Sequence, residues 1–331
     1  MKEDEEMSLN SSEQALLTAI KKTTDKLNID NISRTQAYAT FYHRYPEVKW
    51  AFLASMVSRN AGWNMCDLQG KNMKKALSKQ TRDLLFLTYE RANWLIFKDA
   101  FPQLLLYAVS RKKHVSYVHL LPYLNVSSFI EEKWRQFMQR PCELQLIHAL
   151  IVNEQHVIQQ PVIEQPFYQD RVFKSTLFFF QDIFHFSSVL FPTTKGELYG
   201  CSVHDFTKVN NRIDLGKKLA ALLFHEKYYP LFYEFSLKTK HTGSRYDYEQ
   251  YFVNETICRT PALRKVYPAI RHHEKKREEW FLTKKEEQKL MKKPSFPKKV
   301  HFTKWYLQKQ KRLYILMKVA QVFNVNKNGH K

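Results

Sequence analysis

Apolar residues recur at i, i+3, i+4 and i+7 through most of the chain, and no segment shows sustained apolar–polar alternation between turn signals. This spacing predicts helices over about 11–27, 33–44, 47–68, 79–100, 102–112, 128–139, 142–159, 170–190, 211–227, 247–256, 262–279, 284–292 and 303–323. Local chemistry marks several starts. Ser128-x-x-Glu131 and Thr283-x-x-Glu286 fit the capping box, in which a hydroxyl and a carboxylate satisfy free N–H groups of the first turn. Pro46 and Pro141 precede helical patterns, where a first turn tolerates proline. Residues 192–210 and 238–246 are the longest predicted loops, and Pro294 to Lys299 forms a rigid turn before the last helix. In that helix Tyr306, Leu313, Leu316, Ala320 and Phe323 form an apolar stripe, while Lys304, Lys311 and Lys318 repeat every seven residues on another face. The stripe predicts docking on an apolar surface with a lysine ridge outward.

Together these elements predict an all-α protein. Residues 1–10 read as a solvated acidic tail, 11–260 as a multi-helix bundle, and 261–331 as a basic helical segment packed on it. With 44% hydrophobic and 15% aromatic residues, 331 residues can bury a large core. Only seven glycines occur and they stand singly, so neither GxxxxGK[ST] nor GxGxxG is present, which argues against P-loop and Rossmann chemistry. Four cysteines, Cys66, Cys142, Cys201 and Cys258, lie too far apart for a zinc or dense disulfide framework. The acidic start MKEDEEMSLN lacks the basic region of a signal peptide. The most apolar segment, Leu177 to Phe191, is interrupted by Gln181, Asp182 and His185 and falls short of a membrane span. A cytoplasmic protein with reduced thiols is expected.

Charge changes this picture at one end. Residues 261–331 carry 20 Lys/Arg against 5 Glu, a net of +15 out of the chain's +21. Like charges so concentrated need a counter-charge, and nucleic acid or an anionic membrane surface supplies one. Trp280, Phe281, Phe302, Trp305 and Tyr306 lie among the lysines and can stack on bases, unless they are core residues at helical spacing. Glu278, Glu279, Glu286 and Glu287 dilute the charge, so part of the excess reads as ordinary i, i+4 pairing.

Three groups of residues are candidates for chemistry. On a helix, Asn60, Asn64 and Asp67 share a face close to Ala54, Val57 and Trp63, so their polar groups are at least partly buried. Buried amides and carboxylates must be hydrogen-bonded, either by tying helix ends together or by lining a ligand pocket, with Arg59 and Trp63 as further members. Glu90 sits among Leu87, Trp94 and Phe97, and Glu154 among Ile147, Ile151 and Ile158. Acids converging with Asp67 inside a bundle would have shifted pKa values and could bind a divalent metal or serve as general acid and base. The alternative is partnership with a buried Arg or His. Glu-x-x-His occurs at no glutamate, and no zinc spacing is present among the 13 histidines. His204-Asp205 resembles the central pair of HD phosphohydrolases, with His156, His185 and Asp214 available, but the surrounding pattern does not fit. Finally, His241, Gly243, Ser244 and Arg245 lie just before a predicted helix. Free backbone N–H groups and a guanidinium fork there suit a phosphate or carboxylate, and a capped turn with Asp247 in the first turn suits the same residues.

The motifs Arg59-Asn60-Ala61-Gly62-Trp63-Asn64-Met65, Tyr89-Glu90-Arg91-Ala92-Asn93-Trp94 and His241-Thr242-Gly243-Ser244-Arg245 resemble the YppC-like proteins of Bacillus and related Firmicutes. That family is a domain of unknown function, and the resemblance covers roughly residues 30–325. It implies a bacterial cytosolic protein and transfers no activity, cofactor or catalytic residue. Two functions are therefore weighed on chemistry alone. The leading one is binding of a polyanion, most of all nucleic acid, through Lys284, Lys285, Lys292, Lys293, Lys304, Lys311, Arg312 and Lys318. Its rival is an enzyme or small-ligand receptor with an interior polar pocket drawn from Asn60, Asn64, Asp67, Glu90, Glu154, His241 and Arg245.

Overall fold

The computed structural model describes residues 9–168, 188–202, 205–253, 260–273, 279–312 and 315. Its first half is helical: α1 (Ser11–Leu27), α2 (Asn31–Arg44), α3 (Trp50–Asp67), α4 (Lys71–Ala76), α5 (Lys79–Lys113), α6 (Ser128–Gln139) and α7 (Glu143–Ile158). After a two-stranded hairpin come α8 (Val209–Leu223), α9 (Tyr229–Lys238) and the single turn α10 (Tyr246–Glu249). α3 is the axis of the fold, with 16 of its 18 residues buried. A helix buried all round has no solvent face on which to place polar groups, so Arg59, Asn60, Asn64 and Asp67 need internal partners. α2 packs along it, and α5 and α7 cross the same core. Among the described residues, no helix is long and apolar enough to cross a membrane.

The expectation of an all-α chain is corrected at residues 188–202. Strand β1 (Ser188–Pro192) pairs antiparallel with β2 (Leu198–Ser202) in the register Leu190 to Gly200, across a turn where Gly196 has φ 75°. Both strands are covered on both faces, so they lack the period-2 alternation that marks a half-exposed strand, and a short apolar run reads equally well as buried helix. The C-terminal segment lies along β2: Gly200 N–H donates to Val300 O at 2.9 Å and Phe302 N–H to Leu198 O at 2.8 Å.

Other boundaries moved for identifiable reasons. α5 runs unbroken through Pro102, where two helices were expected, because the missing proline N–H removes only one rung of a ladder whose flanks are firmly packed in the core. α6 is capped by Ser127, whose hydroxyl accepts from Ile130 N–H, while Ser128 instead donates from N–H and hydroxyl to Glu279. The Thr283–Glu286 capping box forms as expected. Pro230, in the first turn, starts α9, which the spacing did not predict. Leu290, Phe302 and Tyr306 belong to the main core, and residues 303–312 are helical. The rest of the predicted stripe, from Leu313 onward, and Lys318 lie outside the described residues, as do most of 170–190 and His204.

Candidate functional site

Two of the sequence candidates, far apart in the chain, meet at the end of α3. Asp67 accepts from Arg245 Nε at 2.6 Å, Asn64 Oδ1 accepts from Arg245 Nη2 at 3.0 Å, and Tyr248 OH accepts from Nη1. The Arg245 guanidinium also faces the Tyr306 ring at 5.8 Å. One helical turn back, Trp63 Nε1 donates to Asp247 at 3.1 Å. Asp247 further accepts from Thr242 N–H and hydroxyl and lies 3.2 Å from His241 Nδ1, whose other nitrogen is 2.8 Å from Asn31 Oδ1. Ser244 donates to Thr260 O, and Gly243, with φ 80°, turns the chain between Thr242 and Ser244 over Cys66. Trp63, Asn64, Asp67, His241, Gly243, Ser244 and Arg245 thus form one buried network rather than a pocket and an anion site.

Electrostatics follow from that burial. Desolvation raises the Asp67 carboxyl against the opposing pull of Arg245. It also works to raise Asp247, but the His241 and Thr242 donors outweigh it and hold that carboxyl below the usual range. Burial depresses the His241 imidazole. Arg245 is held strongly protonated, its desolvation more than offset by Asp67 and the two tyrosines. Its fork, which could have held an external anion, is filled by residues of this chain. Sequence reasoning missed Asn31, Tyr248, Glu249 and Tyr306. Tyr306 donates to Glu249, whose second oxygen has no partner among the described residues, and burial pushes this carboxyl up to about 7.

A raised acid favours folding while protonated in both states and loses that advantage as pH climbs from its unfolded value of 4.5 through about 7. Glu249→Gln is therefore expected to gain stability relative to the wild type between pH 5 and pH 8, by up to about 3 kcal/mol. Urea unfolding of both proteins at the two pH values measures this. An equal difference at both would mean that Glu249 is charged throughout.

The remaining candidates have separate partners. Asn60 serves as a strand substitute, accepting from Leu190 N–H at 2.8 Å and donating to Leu190 O at 2.7 Å, so it holds the open edge of β1. Arg59 donates to Ser236 O and Thr239 O and ties down the end of α9. Glu90 pairs with buried Arg34 at 2.5 Å and lies 3.8 Å from His272. Glu154 accepts from Trp50 Nε1 at 3.0 Å, and burial pushes it up to about 7. The three acids do not share partners, and among the described residues no group of three His, Cys, Asp or Glu is placed to hold a metal ion. Asp214 pairs with Lys218 and His156 stacks on Trp280, so neither supports an HD-type centre.

The basic segment has a different character. Lys284, Lys285, Lys292, Lys293, Lys304, Lys311 and Arg312 are all exposed. The acids between them are engaged elsewhere: Glu286 closes the cap on Thr283, Glu287 pairs with Lys133 at 2.6 Å, and Glu279 holds Ser128. The expected i, i+4 neutralisation is therefore not what these three glutamates do. Of the five aromatic residues, Phe302 and Tyr306 are buried, Trp280 and Trp305 are half-buried, and Phe281 is 78% exposed.

Comparison with known proteins finds similarity to proteins without a described activity. The chain is 43% identical over 307 residues to the uncharacterized protein YppC of Bacillus subtilis (strain 168), covering 92% of this chain and 95% of that one. No solved structure matches. A family model described as "Protein of unknown function (DUF2515)" matches residues 26–312, and the chain belongs to that family.

Proposed function

We propose that this protein binds a polyanion, nucleic acid, through the exposed basic surface of residues 284–312. One observation carries the reading: Lys284, Lys285, Lys292, Lys293, Lys304, Lys311 and Arg312 face solvent, while Glu279, Glu286 and Glu287 are bonded to other groups. The field stays positive by excess, with 11 Lys/Arg against Glu286 and Glu287 over residues 284–312, and it sits on folded backbone. Lysines bind phosphates as point charges with little base readout, so sequence-neutral binding is expected. Phe281, just before this surface, and Phe296 within it are exposed aromatic residues available for stacking. Lys318 extends the ridge by sequence spacing. The reading assigns the protein to the cytoplasm, where nucleic acid is accessible and thiols such as buried Cys66 and Cys201 stay reduced. An interior ligand pocket is the weaker reading, because Asn64, Asp67, His241 and Arg245 are engaged with one another.

Binding by counterion release has a steep salt dependence. With about five phosphates engaged, affinity should fall several hundred-fold, roughly 4^4.5, between 50 and 200 mM salt. Fluorescence anisotropy of labelled DNA and RNA oligonucleotides measures the slope. Replacing Lys284, Lys285, Lys304 and Lys311 by Gln should flatten it by about one for each phosphate no longer neutralised. Failure to retain either nucleic acid at low ionic strength, with capture by phosphatidylserine vesicles instead, would transfer the surface to a membrane partner.

A further inference from the structure

Away from the buried network, α7, α8 and the turn after Leu290 enclose a cleft of about 550 Å³. This is within the size range of small-ligand sites. Its walls are largely apolar, from Leu144, Ile147, Phe224 and Phe296. At one end His148, Lys217 and Lys293 come together. Lys217 is only 6% exposed, and its ammonium donates to Leu290 O and Lys292 O, both at 2.9 Å. Two carbonyls use two of its three N–H groups and neutralise none of its charge. Asp214, the nearest acid on its own helix, is bonded to Lys218 at 2.6 Å. His148 Nδ1 faces Met291 O at 3.4 Å.

The charges at this end do not cancel. Glu143, the acid in the lining, pairs at the rim with Lys49 at 2.9 Å, and Lys49 sits over the Phe224 ring. Lys217 and Lys293 have no carboxylate partner among the described residues, which leaves two positive charges at the polar end of an apolar cleft. Burial pushes His148 down to about 4, with Lys217 and Lys293 adding to the effect, so it is a neutral hydrogen-bonding group at pH 7. Asp214 acts on the Lys217 ammonium only through space, being bonded to Lys218, so burial still holds that ammonium below its usual range, and an anion arriving from solvent would offset the cost.

We propose that this cleft binds a small organic phosphate, a dianionic phosphomonoester on an apolar or aromatic body. The phosphate would lie against Lys217 and Lys293, with His148 beside it and the body between Phe224 and Phe296. This site does not depend on the nucleic-acid surface, although Lys293 borders both.

Phenyl phosphate is the probe, titrated into the full chain by calorimetry beside inorganic phosphate and phenol. Phenyl phosphate is expected to bind at least tenfold more tightly than either, because only it meets both ends of the cleft. Lys217→Met should weaken it tenfold or more. As that substitution also removes two bonds to the 290–292 turn, Lys293→Gln and Ala221→Trp provide variants at more open positions. The first lowers the charge and the second fills the cleft, and each should weaken phenyl phosphate at least fivefold. Ala221→Trp should leave the oligonucleotide affinity unchanged, so the two readings fail separately. Phenyl phosphate binding no tighter than inorganic phosphate, or indifference to both Lys293→Gln and Ala221→Trp, overturns the proposal.

Discussion

Replacing Arg245 by alanine is expected to destabilise the protein by about 3–5 kcal/mol, because it leaves the Asp67 carboxylate buried with no counter-charge. The guanidinium meets Asp67, Asn64 and Tyr248 from one buried position, and all three contacts would be lost at once. Lysine is a poor substitute, since one ammonium cannot reproduce a planar fork directed at three acceptors. Urea unfolding followed by tryptophan fluorescence should show a lower midpoint with an unchanged slope. Adding Asp67→Asn should restore part of the loss, as the remaining amide no longer carries a buried charge. The penalty should also shrink as pH falls. Asp67 is already raised by burial, and without Arg245 its folded value rises further, so protonation favours the variant's native state over its unfolded one. A loss below about 1 kcal/mol would show that Arg245 is not an internal brace and would return it to the anion-binding candidates.

Gly62→Ala is the second large effect, and its sign is decided by two opposing terms. In an open helix, alanine in place of glycine gains about 1 kcal/mol. At Gly62 a Cβ would overlap Asn31 Oδ1 and come within 2.7 Å of His241 Nε2, the two atoms that bond to each other at 2.8 Å. Both neighbours are buried and held by further bonds, His241 to Asp247 and Asn31 to Ser58. Overpacking of about 1–3 kcal/mol plus a broken buried hydrogen bond of about 1–3 kcal/mol exceeds the gain in propensity. A net loss of about 2–4 kcal/mol is expected, which is a fall of roughly 3–6 °C in Tm by differential scanning calorimetry. A melting temperature equal to or above that of the wild type would mean that α3 can move away from His241.

Most helices were legible from periodicity alone, although α6 is capped by Ser127 in place of Ser128. The helices expected over 247–256 and 262–279 are reduced to Tyr246–Glu249 and Leu263–Val266 among the described residues. α1, α6 and the helix at Lys284–Leu290 fall within a residue or two of their expected ends. Asn60, Asn64 and Asp67 were also legible as polar residues on a buried face, but their bonding was not. The partner of Asp67 stands 178 residues later in the chain, and no local pattern encodes that distance. Asn60 illustrates the limit well: its amide completes a strand edge, and the strand itself carried no alternation to announce it. The carboxylate of Asp247 was readable in the first turn of a short helix, but not with the expected cap: Arg245 stands at the N-cap with no side-chain cap, and Thr242 donates to Asp247. The same carboxylate also receives Trp63, which only the three-dimensional arrangement brings there.

The bracing of α3 by residues 241–306 bears on how the protein is made. Trp63, Asn64 and Asp67 leave the ribosome long before Arg245, Asp247 and Tyr306 are synthesised. At roughly 5–20 residues per second that interval is on the order of ten to forty seconds. Throughout it Asp67 and Trp63 of the nascent α3 lack Arg245 and Asp247, although Ser58 already has Asn31 beside it. The central element of the fold is thus among the first translated and waits for partners about 180 residues away, so its native packing is of high contact order.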